Sequence, residues 1–366
     1  MDLYFLYHNY DGETDEYIRK VFEFDFNRGE YDDIFIKESE FIATKNLLKE
    51  HYRNIIQCYI NLSSYTGSNV WQINSNVLME WLIDKCDFFD DKYTSKHMIK
   101  VIEDIYFNKR DLEDRKIYKN FPSNKYNLIR HTFLSFLINI SIDKYINVLR
   151  TAPNPYDAIK LSMDNYFIAA CEGYEYHNWR KERYYNEEVD NILKAYIPVF
   201  DALFYTYAPQ QIMSRKDSFW MQLDNFTNLC SVLMDVDFPV KEIPILFSLS
   251  MRLQTNEIDS DKHYNMVLPE FLEAFCRFVD RLSPIPYGED SSKWDMKRRQ
   301  EQPLDAKIET MIPRIIKLID GPKKYVKDQF TMPLRDEDSG FLIINYDNPL
   351  YEGLLPPRTK KKAKGS

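Results

Sequence analysis

Asp259-Ser-Asp-Lys-His-Tyr-Asn-Met-Val-Leu-Pro-Glu-Phe-Leu-Glu-Ala-Phe-Cys-Arg-Phe278 is the stretch whose reading decides the fold. Its first part is polar and acidic. Its second part is apolar at spacings of three and four, which places one face of a helix against a core. The stretch therefore reads as the end of a loop, Thr255 to Leu268, running into a helix from Pro269 to Leu282.

Working outward, the same form recurs. Met221-Gln-Leu-Asp-Asn-Phe-Thr-Asn-Leu-Cys lies 45 residues before Met266-Val-Leu-Pro-Glu-Phe-Leu-Glu-Ala-Phe, with apolar residues coinciding at the first, third and sixth positions. Thr132-Phe-Leu-Ser-Phe-Leu has the form of Glu270-Phe-Leu-Glu-Ala-Phe. Helices are expected from about Thr44 to Ile60, around Leu78 to Cys86, around Met98 to Tyr106 and from Leu128 toward Leu149. After a partly helical connector, a second set is expected at Val189 to Tyr207, Asp224 to Met234, Ile243 to Leu253 and Pro269 to Leu282. Asn74 or Ser75 and Thr94 or Ser95 are the capping residues. Each half reads helix, long loop, helix, short linker, helix, long loop, helix.

This pattern resembles the EF-hand family, with two paired helix-loop-helix modules. A twelve-residue loop counted from Asp259 has carboxylates at places one (Asp259), three (Asp261) and twelve (Glu270). Met266 at place eight is the residue that would form the short bridge between paired loops. The resemblance implies Ca²⁺ as the ion, because a hard cation needs six to eight converging oxygens. The pattern departs from the family at place five, which is His263, and at place six, where Tyr264 replaces the turn glycine. Counting back from Asn225 gives Ser214, Lys216 and Ser218 at the ligand places. Counting back from Thr132 gives Phe121, Ser123 and Lys125, and the loop before Leu78 has Thr66 and Ser68. Hands held by packing rather than by metal are the expectation, with Ca²⁺ at loop 259–270 the alternative.

The expected fold is therefore all-α, with two EF-hand-like pairs in tandem and extended N- and C-terminal arms. Its parts are an arm at 1–44, a first pair at 45–152, a connector at 153–186, a second pair at 187–283 and a C-terminal arm at 284–366. That last arm carries one amphipathic helix at 304–320, kinked at Pro313. Tyr17 to Phe26 reads as a short strand or extended arm, and residues 284–357 as mobile when free.

Composition narrows the function. The chain has 366 residues and a net charge of −9, which argues against general nucleic-acid binding. Nine glycines stand where about 7% usage would give roughly 26. No two are spaced for a phosphate cradle or a nucleophile elbow, and no HExxH is present. The enzyme candidates are thin: His263 near Asp259 and Asp261, and His177 near Glu175. No catalysis is expected. Cys58, Cys86, Cys171, Cys230 and Cys276 are scattered, as buried free thiols would be in a reducing cytoplasm. No apolar run approaches the ~20 residues of a membrane span.

Two short motifs remain. Asn348-Pro349-Leu350-Tyr351 matches an NPxY docking turn, although an ordinary Asn-Pro turn is the commoner meaning. Lys360, Lys361 and Lys362 lie in a basic tail that reads either as a solvated, disordered terminus or as a contact for an acidic polymer such as a tubulin tail or nucleic acid. Taken with the resemblance, these features imply a non-catalytic scaffold of a cytoskeletal assembly, microtubule- or axoneme-associated, with other proteins and possible tubulin contact as partners. The alternative is a calcium sensor acting on a protein partner.

Overall fold

The computed structural model describes residues 14–29, 31, 33–65, 71–107, 127–174, 176–208, 210–211, 218–235, 237–257 and 261–355. It is predominantly helical. Over those residues the chain forms two compact units, 14–176 with 244–264, and 177–243 with 265–355.

The first unit contains α1 (Asp15–Asn27), α2 (Glu38–Ser64), α3 (Ser75–Asp84), α4 (Ser95–Phe107), α5 (Arg130–Ile142), α6 (Pro155–Ser162) and α7 (Ile168–Cys171). Short π-helical turns extend α5 through Asp143–Val148 and join α6 to α7 through Met163–Phe167. Asn74 accepts from the Val77 N–H at 2.9 Å and starts α3. Asn154 caps α6 in the same way, with Pro155 in the first turn. Proline there costs nothing, since the missing donor has no helical partner anyway. Eleven of the thirteen residues of α5 are buried, so it lacks a solvent face and serves as the central helix. It packs against α1, α2, α4 and α6. The core includes Phe22, Phe26, Leu48, Tyr52, Tyr59, Trp81, Phe88, Phe133, Phe136 and Phe167. Each such side chain contributes about 1.5–3 kcal/mol by leaving water.

The second unit contains α8 (Tyr176–Trp179), α9 (Glu187–Ala195), α10 (Ile197–Tyr207), a two-residue ladder β1 (Gln210–Gln211) with β2 (Ser218–Phe219), and α11 (Leu223–Leu233). Next comes α12 (Ile243–Ser250), of which only Ile243 belongs to this unit. Then follow α13 (Leu268–Leu282), α14 (Met296–Glu301), α15 (Leu304–Leu318) and α16 (Val326–Gln329). The helix expected at 189–207 is two helices. It breaks at Tyr196, and Pro198 lies in the first turn of α10. α15 buries Leu304, Ile308, Met311, Ile312 and Ile315 and packs against α9, α10 and α13.

Four residues divide the loops in a regular way. Ile73 and Leu128 form an antiparallel bridge in the first unit, exchanging two N–H···O bonds of 2.8 Å. Met221 and Met266 form the same bridge in the second unit, with both bonds 2.9 Å. Each bridge residue is followed by one capping residue (Asn74, Ile129, Gln222, Val267) and then by the first residue of α3, α5, α11 or α13. All four bridge residues are fully buried.

Three expectations are corrected. Residues 15–27 are a helix rather than a strand or extended arm, because Ile18, Val21, Phe22 and Phe26 share one face that α2 and α5 cover. The connector at 153–186 is divided: residues 153–176 belong to the first unit, where Ala158, Ile159, Met163 and Phe167 are buried, and residues 177–186 belong to the second. The C-terminal arm is packed: besides α15, Ile319, Val326, Leu342 and Tyr351 are buried. It is tied back by Lys307, whose ammonium bonds Asp280 Oδ1 (2.8 Å), Ser283 Oγ (3.0 Å) and the Gln300 carbonyl (3.0 Å). Arg299 donates to the Ser283 carbonyl at 2.6 Å, closing the C-terminal end of α13.

Candidate functional site

The expected metal ligands have separate fates. Asp259 lies outside the described residues. Asp261 opens a short 3₁₀ turn, Asp261–Tyr264, that belongs to the first unit. Glu270 belongs to the second unit, is buried, and accepts from the Val267 N–H at 2.9 Å. That bond satisfies a helix-terminal donor, as a glutamate three residues past the cap commonly does. Asn225 does the same for the Gln222 N–H, at 3.1 Å. Among the described residues no group of three or more His, Cys, Asp or Glu side chains has a geometry that would hold a metal ion.

His263, the place-five residue, is buried. Its ring meets Trp71 edge-on at 5.2 Å and lies 4.0 Å from the Tyr264 ring. It borders a small cavity of the first unit together with Asp25, Trp71, Arg130, His131 and Glu257. The cavity holds about 10 Å³, room for a single water and for no organic substrate.

The chemistry beside that cavity is a buried charge cluster drawn from three parts of the chain. Asp25 projects from α1, Arg130 opens α5, and Glu257 follows Leu253 in the segment after α12. Arg130 spends all five of its N–H groups. Nε and Nη2 grip Asp25 in a fork at 2.6 and 3.0 Å. Nη1 reaches Glu257 Oε1 at 2.6 Å and the Gln254 carbonyl at 2.8 Å. Nη2 also donates to the Thr255 carbonyl at 2.9 Å. A planar guanidinium is suited to this fork geometry. The Tyr52 hydroxyl donates to Asp25 as well. Burial raises the Glu257 carboxyl to about 7, with Arg130 pulling down and Asp25 pushing up. Burial likewise raises the Tyr52 hydroxyl well above its ordinary range. The arrangement positions backbone rather than reacting atoms: it fastens 254–257 to α1 and α5.

Sequence reasoning missed Asp25, Arg130 and Glu257. One signal was available: Asp25 occupies the apolar stripe Ile18, Val21, Phe22, Phe26, and a carboxylate there needs a buried cation. Nothing in the residue order marks Arg130 or Glu257 as its partners.

The remaining candidates are placed as follows. Glu175 lies outside the described residues, as do Lys360, Lys361 and Lys362. His177 falls in α8. Asn348 accepts from the Leu350 N–H at 3.0 Å and caps the 3₁₀ turn Pro349–Tyr351. Tyr351 is buried and donates to the Ala195 carbonyl at 2.6 Å, so this tyrosine is engaged within its own unit. All five cysteines are free and buried. No helix among the described residues is long and apolar enough to cross a membrane.

No family model matches the sequence, and neither a curated protein nor a solved structure matches it significantly.

Proposed function

We propose that the chain is a non-catalytic interaction scaffold built from two EF-hand-like pairs whose loops are held by packing and backbone bonds rather than by Ca²⁺. The observation that carries this reading is the repeated loop plan. The bridge residues Ile73, Leu128, Met221 and Met266 each stand two residues before a helix, and they pair as first with second and third with fourth. Met266 is place eight of loop 259–270, and Met221 and Leu128 are place eight of the loops counted back from Asn225 and Thr132. Support for the metal-free part comes from His263, turned against Trp71, and from Glu270, spent on the Val267 N–H. One departure from the family's plan is that residues 244–264, which would supply the entering helix of the fourth hand, belong to the first unit.

The assembly is expected to be cytoskeletal, with microtubule proteins as partners. This rests on the family resemblance alone. Calorimetry of the whole chain with Ca²⁺ tests the first part. No binding heat is expected; binding with Kd of about 10⁻⁷–10⁻⁵ M that disappears in Glu270→Gln would establish a sensor instead. Co-sedimentation with microtubules tests the second part, and a chain that stays in the supernatant removes it.

A further inference from the structure

The first unit has another cavity, which the scaffold reading leaves unused. It lies between α1 and α2 and holds about 490 Å³, a size usual for a small-molecule site. Asp15 and Arg19 of α1 line it, as do Asn46, Lys49, Glu50 and Arg53 of α2. Among the described residues Ile18 is the one apolar side chain in the lining, and it is buried. Polar recognition therefore has to select the occupant.

Some of the lining charges are already committed. Arg53 donates to Asp15 at 2.8 Å, and Lys49 donates to Glu23 of α1 at 3.0 Å. Glu23 also holds Lys45, at 2.6 Å. These pairs cross from one helix to the other and fix long side chains that would otherwise lose rotamer freedom on binding. Arg19 and Glu50 differ. Both are exposed, they stand on different helices of the same cavity, and neither makes an ion pair among the described residues. The two therefore lie more than 4.0 Å apart. The Asn46 side-chain amide, one turn before Glu50, has no hydrogen-bond partner among those residues either. One cavity thus offers a cation and a carboxylate that do not satisfy each other.

We propose that this cavity binds a small zwitterion of the α-amino acid class. The ligand's carboxylate meets Arg19, whose planar fork suits it, with Lys49 and Arg53 adding positive charge from the facing helix. Its ammonium meets Glu50, with the Asn46 amide beside it on α2. A simple anion would satisfy Arg19 but face Glu50 and Asp15, and a simple cation would face Arg19, Lys49 and Arg53. A molecule carrying both charges has a partner for each, which is how a site rejects the singly charged alternatives. Three cations and two carboxylates line the cavity, so an acidic amino acid is favoured over a basic one. The inference goes beyond the scaffold reading and is independent of Ca²⁺ and of microtubules.

The test is isothermal titration of the full chain at low salt with L-glutamate, L-glutamine and L-lysine. Acetate and ethylamine are the singly charged probes. Because the recognising groups are exposed and screened, glutamate and glutamine should bind with Kd of about 10⁻⁴–10⁻³ M. Lysine should bind more weakly than either, and acetate and ethylamine about tenfold more weakly or worse. Arg19→Gln and Glu50→Gln should each weaken glutamine binding by about tenfold or more, the worth of one charge-assisted contact. Circular dichroism checks that both variants keep their helix content, as exposed positions should. No binding of glutamate or glutamine at about 10 mM, unchanged binding by both variants, or acetate as tight as glutamate overturns the proposal. If the amino acids bind while co-sedimentation fails, only the microtubule assignment falls. The reverse pattern removes only this site.

Discussion

Arg130→Met is the sharpest test of the charge cluster. The substitution keeps an unbranched apolar stem and removes five donors at once. Asp25, only 1% exposed, keeps the Tyr52 hydroxyl but loses its cation. Taking one partner from a buried ion pair costs about 3–5 kcal/mol. Glu257 adds little to that, since a carboxyl already raised to about 7 can take up a proton near neutrality. The Gln254 and Thr255 carbonyls lose a donor each, a cost already contained in that range and not added again. The expected loss is therefore about 4 kcal/mol. An exposed pair gives the contrast. Arg53 and Asp15 stand 2.8 Å apart but are 34% and 83% exposed, so Arg53→Met should cost about 0–1 kcal/mol. Because two units can unfold separately, hydrogen exchange read on peptides from α1 and α5 is the suitable assay. Protection there should fall roughly a thousandfold, the equivalent of about 4 kcal/mol. Asp25→Leu/Arg130→Met removes both charges and should recover at least half of the loss. A single-variant loss under about 1 kcal/mol, or a double variant no better than the single, would refute the reasoning.

Two further outcomes are expected. The Lys144 ammonium donates to the Phe88 carbonyl, lies 3.2 Å from the Tyr166 hydroxyl, and sits over the Phe88 and Tyr166 rings at 4.4 and 4.6 Å. Lys144→Met should cost about 2–3 kcal/mol by urea titration, and Lys144→Arg should not restore it, since a planar fork does not fit a point-charge site. Burial pushes the Asp280 carboxyl up, but hydrogen bonds from Arg183, Lys307 and Trp179 outweigh it and hold the group below its ordinary 3.8. A lowered carboxylate stabilises the fold above its unfolded value, and that contribution is lost as pH falls through the folded one. Asp280→Asn should therefore lower stability at neutral pH and flatten the acid limb of a stability–pH curve; an unchanged acid limb would contradict it.

Helices whose burial follows their own spacing were readable from residue order. α3, α13 and α15 appear within a few residues of where the apolar repeats place them, and α2 contains the expected 44–60 but starts six residues earlier and ends four later. Met266 was singled out by the family resemblance, as the place-eight residue that would bridge to a paired loop, and it does bridge to Met221. α1 was not readable, because Phe22, Phe24 and Phe26 alternate with Glu23 and Asp25 as a strand would, and Asp25 interrupts the apolar face. The assignment of 244–264 to the first unit was not readable either. It depends on contacts such as the Tyr17 hydroxyl to the Leu253 carbonyl, 236 positions apart, and no local pattern encodes a partner at that distance. The candidate site suffered for the same reason. Asp259, Asp261 and Glu270 are close in sequence, whereas the cluster of Asp25, Arg130 and Glu257 is assembled by tertiary packing.

The return of residues 244–264 to the first unit has a consequence for synthesis. Arg130 and Glu257 are 127 positions apart, and all of 177–243 is made in between. At about 5–20 residues per second, roughly 6–25 seconds pass between the two leaving the ribosome. Asp25 can engage the guanidinium early, but its other three acceptors arrive late. The N-terminal unit is thus a lock whose last pin is cut only after the next unit has begun. A nascent chain halted before residue 244 should hold α1 and α5 loosely and remain open to chaperones.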